Sequence, residues 1–167
     1  MTLLKTLLVP ACLLGLSLPA MLADDKKEEK KNEKAKFDIK KLEGKWIIVE
    51  GMKNGNKVDG EKDKEPMIVT KDTMTMTADT MKFEFKYTVD DKTDPASIEL
   101  EIISDTFKGA KAPGIVKLEG DKLMLAYGVN STEPEKPGKR PTDFTGKKDS
   151  EAYSFIYKRA AEEKKDK

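Results

Sequence analysis

From residue 73 to residue 157 the chain repeatedly alternates apolar and polar residues. "TMTMT" (73–77) sets Met74 and Met76 on one face, and "KFEFKYTV" (82–89) sets Phe83, Phe85, Tyr87 and Val89 against Lys82, Glu84, Lys86 and Thr88. "SIELEI" (97–102) alternates Ile98, Leu100 and Ile102 with Ser97, Glu99 and Glu101. In "GIVKLEGDKLMLAYG" (114–128), Leu123, Leu125 and Tyr127 share a side, as do Tyr153, Phe155 and Tyr157 in "EAYSFIYKR" (151–159). Successive side chains of a strand point to opposite sides, so this period of two predicts half-buried antiparallel strands with a wet outer face.

Turn residues separate the runs: Asn54-Gly55, Lys71-Asp72, "DDKTDPA" (90–96) and Glu119-Gly120-Asp121. Seven to nine strands are predicted, at 45–51, 66–70, 73–78, 82–89, 97–103, 114–119, 122–128, 142–145 and 151–159. No long helical pattern interrupts them. Sequential hairpins of this kind close most simply into an all-β, antiparallel up-and-down barrel of about eight strands, which leaves no open sheet edge. In "FDIKKLEG" (37–44), Asp38 suits a helix N-cap, residues 39–42 allow one helical turn, and Gly44 can end it. Trp46, the sole Trp, then falls at the bottom of the first strand, where its ring can plug a barrel's narrow end. Its indole N–H needs a polar partner there.

The flanks differ in kind. Residues 1–23 have one lysine (Lys5), an apolar run, and small residues at Ala20 and Ala23, the layout of a secretory signal peptide. Cleavage is expected after Ala23, with Ala20 the alternative, and the run is short for a membrane span. "VPAC" loosely resembles a lipidation box at Cys12, but Pro10 and the short apolar stretch before it favour an ordinary signal. Residues 24–36 carry 11 charges in 13 positions and read as a solvated tether, as do residues 160–167 as a tail. The folded domain is expected over 37–159.

Loss of residues 1–23 removes one charge, leaving 31 basic and 31 acidic residues. This balance gives no basic excess for nucleic acid. The same cleavage removes Cys12, the only cysteine, so an exported form has no disulfide and depends on its core. The chain has no histidine. That excludes His-based acid–base catalysis, the usual zinc sites and the nucleophile–histidine systems. No phosphate loop or nucleophile elbow occurs. We therefore expect a binding protein rather than an enzyme, with no cofactor or metal; a hydrolase or isomerase using Asp or Glu inside the barrel is the remaining enzymatic alternative.

Four segments, "DIKKLEGKWIIVEG", "APGIVKLEGDKLMLAYG", "KRPTDF" and "FIYKR", follow one another in an order that resembles a lipocalin-like domain family of small exported bacterial proteins, of planctomycete type and uncharacterised function. The likeness runs from about Phe37 to Arg159. It implies a lipocalin-like barrel and little about chemistry. Gly44 and Trp46 resemble the Gly-x-Trp that opens the first lipocalin strand, and Arg159 the arginine that stacks on it from the last. Such a cation–π contact contributes about 0.5–2 kcal/mol. Thr142-Asp143 faintly resembles the lipocalin Thr-Asp pair.

The inward faces set two readings side by side. Met74, Met76, Phe83 and Phe85, with Tyr87, Leu100, Leu125 and Tyr127, either line a cavity for a small apolar molecule or meet and fill the interior. Filling is the simpler packing, and would suit a module that contacts an envelope protein. Arg140 and Asp143 are candidates for a polar rim; their alternative is local turn structure around Pro141. Asp90, Asp91 and Asp94 lack a calcium-loop spacing and read as a solvated turn. "NST" at Asn130 is a glycosylation acceptor only in a host with that machinery.

Overall fold

The computed structural model describes residues 37–58, 65–78, 80–105, 107–133 and 136–161. The signal segment with its cleavage points and Cys12, the charged tether, and residues 162–167 of the tail lie outside the described residues.

Among the described residues a 3-10 turn at Ile39–Leu42 leads into nine strands. They are β1 (Gly44–Lys53), β2 (Asn56–Val58), β3 (Met67–Val69), β4 (Thr73–Ala78), β5 (Met81–Asp90), β6 (Ala96–Ile102), β7 (Lys111–Glu119), β8 (Lys122–Gly128) and β9 (Ala152–Arg159). Neighbours pair antiparallel in the order β2-β1-β3-β4-β5-β6-β7-β8-β9, and β9 pairs back onto β1. Eight strands therefore close into an antiparallel barrel, and β2 is an added strand. Both β2 and β3 lie on the edge of β1 that faces away from β9, β3 beside Gly44–Trp46 and β2 beside Gly51–Lys53.

The lower end of the barrel carries the 3-10 turn and the turns after β3, β5 and β7. The upper end carries the turns after β1 and β4 and the long connections after β6 and β8. Turn chemistry sets these bends: Asn54 and Gly55 have φ of 49° and 80°, and Gly120 has 59°. Core positions follow the alternation, with Val69, Met74, Ile98, Val116, Leu123 and Phe155 among those buried.

The 142–145 run is not a strand. It lies in the long connection after β8, and its polar groups are used locally. The Asp143 carboxylate accepts the Thr145 amide at 2.8 Å, and Phe144 O accepts the Ser154 hydroxyl at 2.5 Å. This connection covers the outside of the barrel. Ile115, Ala126 and Ser154 lie in one register row of β7, β8 and β9, alternate with the inward residues, and are all buried. Gly146 packs there so closely that an added Cβ would lie 2.7 Å from Met52 Cβ. β2, which has no alternating pattern, was not readable from the sequence.

A second departure concerns β1. A bulge between Ile48 and Glu50 leaves Val49 49% exposed and shifts the alternation by one residue. Below the bulge Trp46 and Ile48 face inward. Above it Gly51 and Lys53 lie opposite the inward residues Phe155 and Tyr153, while Met52 lies opposite the outward Ser154.

Candidate functional site

The lower end is a solid plug. Trp46 is fully buried, and its indole Nε1–H donates to Leu42 O at 2.7 Å. The 3-10 turn exists to supply that carbonyl: Asp38 accepts the Lys40 amide at 3.1 Å, which starts the turn, and fully buried Leu42 anchors it. Arg159 lies over the other side of the indole, its Cζ 4.2 Å from the ring centroid. Its Nη1 and Nη2 donate to Glu43 O at 2.9 Å and Lys41 O at 2.6 Å, tying the last strand to the segment before the first. Gly44 does not end the turn, whose C-cap is the extended Glu43. It opens β1 at φ +129°, and a Cβ there would lie 2.8 Å from Arg159 Nη1. Glycine is required by both its backbone angle and the guanidinium.

Met74, Leu100 and Leu125 pack in the filled layer above this plug, each 0–1% exposed. Tyr87 belongs there too, its hydroxyl donating to Thr70 O at 2.8 Å. Burial, then the charges of Glu43 and Asp72, push its phenol above the ordinary tyrosine value. None of these four lines open space.

Above them lies a cavity of about 400 Å³. Met76, Phe83, Phe85 and Tyr127 line it, joined by Ile48, Met67, Ile102, Ala112, Tyr153, Phe155 and Tyr157. The last three came from a face whose alternation was evident in the sequence. Ile48 and Met67 carried no comparable signal. The space arises because β7 offers Ala112 where neighbouring strands offer large side chains. β3 also begins only at Met67, so that among the described residues β4 has no strand partner beyond Thr75 on that side. There the Thr77 hydroxyl donates to Glu65 at 2.7 Å and carries the seam onward.

The cavity opens at the upper end. Met81 and Phe107, 49% and 52% exposed, flank the mouth with Lys53, Lys111 and Lys136. Lys136 is paired with Glu133 at 2.5 Å, while Lys53 Nζ sits 5.9 Å from the Tyr153 ring centroid. Asn130, also at the mouth, uses its side-chain oxygen to accept the amides of Thr132 and Glu133 at 3.2 and 2.9 Å, which shapes the rim. The walls are aromatic: Tyr127 stands edge-on to Tyr153 at 5.8 Å and stacks on Phe155 at 6.0 Å with the planes inclined by 29°. The hydroxyls of Tyr127 and Tyr153 have no hydrogen-bond partner among the described residues. Burial, and secondarily Tyr153, push the Tyr127 phenol well above its usual range, so it stays protonated and able to donate.

Arg140 and Asp143 are not among the lining residues. Arg140 crosses the outside of β6 and β7, donating to Gly114 O at 2.5 Å and Ile98 O at 3.2 Å and pairing with Glu99. It pins the long connection to the barrel wall. Asp143 is held below the usual carboxylate range by the Thr145 hydroxyl and amide, with Lys147 a lesser cause. Asp90 caps the amide of Lys92 at 3.1 Å within its turn. Among the described residues no cluster of three or more carboxylates is placed to hold a metal ion, and no helix is long and apolar enough to cross a membrane.

Comparison with known protein families, curated proteins and solved structures finds no match for this chain.

Proposed function

We propose that this protein is an exported, non-enzymatic, lipocalin-like binding protein that carries one small, mostly apolar molecule inside its barrel. The observation that carries the reading is the cavity: about 400 Å³, walled by aromatic and aliphatic side chains, closed below and open above. That volume lies at the lower end of the roughly 300–1,000 Å³ typical of small-molecule sites. Burying a ligand's apolar surface there contributes about 25 cal/mol per Å². Of the described residues lining the cavity, Glu65 alone bears a carboxylate, and the Thr77 hydroxyl already binds it. Carboxylate-pair chemistry therefore has no support there.

The test is to fill the space. Ala112→Phe places a ring in the cavity from β7, and Ile102→Trp does so from β6. The unaltered protein is expected to bind a fluorescent fatty-chain probe with one-to-one stoichiometry. Either folded variant should lose at least about tenfold in affinity. Equal binding by both folded variants would place the probe elsewhere and refute the reading.

A further inference from the structure

We infer that the molecule held in this cavity is a single-chain amphiphile with an anionic head, its chain pointing down toward the Trp46 plug and its head bound at the mouth by Lys53, Tyr153 and Tyr127. This rests on the cavity reading above and adds the charge and orientation of the ligand.

The β1 bulge decides which side chain stands at the top of the inner face. In an unbroken strand the alternation from Trp46 and Ile48 would bring Glu50 and Met52 inside. The register shift between Ile48 and Glu50 instead turns Lys53 onto the inner face, opposite Tyr153. Bulges of this kind re-aim a side chain. A thioether is exchanged for an ammonium at the top of an otherwise apolar wall, where it faces the Tyr153 ring at 5.9 Å.

Lys53, Tyr153 and Tyr127 form one cross-strand row over β1, β9 and β8. The two phenol hydroxyls add donors that no described residue engages, and the raised Tyr127 phenol remains a donor at neutral pH. Lys111, at the start of β7, adds a second ammonium with no ion-pair partner among the described residues. Glu133 is paired with Lys136, and Glu65, the one carboxylate among the described lining residues, accepts the Thr77 hydroxyl on Oε2 alone. Among the described residues the mouth therefore sets two ammonium groups without an ion-pair partner, Lys53 and Lys111, and two phenol donors against one carboxylate, an excess that fits a carboxylate or phosphate head. Below that row the cavity offers Phe85, Met67 and Ile48, surfaces suited to a methylene chain. The volume suits one chain better than two.

The experiment compares four probes of one chain length on the full folded protein: myristate, myristyl phosphate, myristyl alcohol and myristylamine. Calorimetry should show the two anions binding at least about threefold tighter than the alcohol, and the amine weakest, with the anion preference shrinking at high salt. The stronger of the two anions identifies the head chemistry. Lys53→Gln should remove most of the anion preference, read as the ratio of anion to alcohol affinity, whereas Lys82→Gln on an outward position should leave both affinities as they are. Equal affinity for acid and alcohol, or an anion preference that survives Lys53→Gln, would overturn the inference while leaving the cavity reading intact. Failure of all four probes to bind would overturn both.

Discussion

Replacing Arg159 with alanine should lower the stability of the barrel by about 2 kcal/mol. The cation–π contact over Trp46, at 4.2 Å and partly desolvated, is worth about 1 kcal/mol. The hydrogen bonds to Glu43 O and Lys41 O add about 1 kcal/mol each, the value for a neutral pair and less than a charged donor gives when buried, because water can reach both carbonyls after truncation. Freed rotamers return about 1 kcal/mol. The ion pair to Asp121, at 3.9 Å with that carboxylate 90% exposed, is left at zero. Arg159→Lys should recover less than half of the loss, since an ammonium cannot reach two carbonyls while lying flat on the indole. Gly44→Ala should cost a further 1–3 kcal/mol or so from its backbone angle alone. Its steric share should vanish in the Arg159→Ala background, so the two losses should sum to more than the double variant shows. Urea denaturation followed by fluorescence reports directly, because Trp46 is the only emitter of its kind and is fully buried. An unchanged midpoint with an unchanged emission maximum would refute the coupling between first and last strands.

Other outcomes follow from the same geometry. Burial keeps Tyr127 protonated in the folded chain at pH values where the unfolded chain ionises. Stability should therefore be fully present below about pH 10 and fall above it by up to about 1.4 kcal/mol per unit for this group. Tyr127→Phe should flatten that slope; denaturation midpoints measured from neutral pH to above pH 10 would show it, and parallel curves would contradict it. Arg140→Ala leaves Gly114 O and Ile98 O without that donor and should cost about 2 kcal/mol while speeding hydrogen exchange of the amides around Thr145. Unchanged exchange there would mean that the connection is held by other contacts.

Most of the barrel was legible because one-sided burial forces a period of two, and that period survives in β4, β5, β6, β8 and β9. The place of Trp46 was legible too, since a lone Trp beside glycine at a strand start suits a plug, whereas the Arg159 contact was available only as what the resemblance to the lipocalin pattern implies. The site was less so. Alternation marks which side chains face inward without saying whether they meet. Met74 and Met76 lie two residues apart on one strand and read alike. The first fills the interior and the second borders a void, because β3 stops short beside one and not the other. Lys53 was hidden for a different reason: a one-residue bulge inverts the pattern above Ile48, and nothing in "WIIVEGMK" announces it. Arg140 drew attention as a charge near a long loop. Its fixed place on the outer wall depends on carbonyls from β6 and β7 that are distant in the chain.

The account stands on the upper half of the barrel being an open container. Co-crystallisation with a fatty acid brominated at its terminal carbon tests this most directly. The account predicts one anomalous bromine peak inside the barrel near Phe85 and Met67, with the carboxylate at Lys53. A fully collapsed interior, or bromine found only on the outer surface, would contradict it.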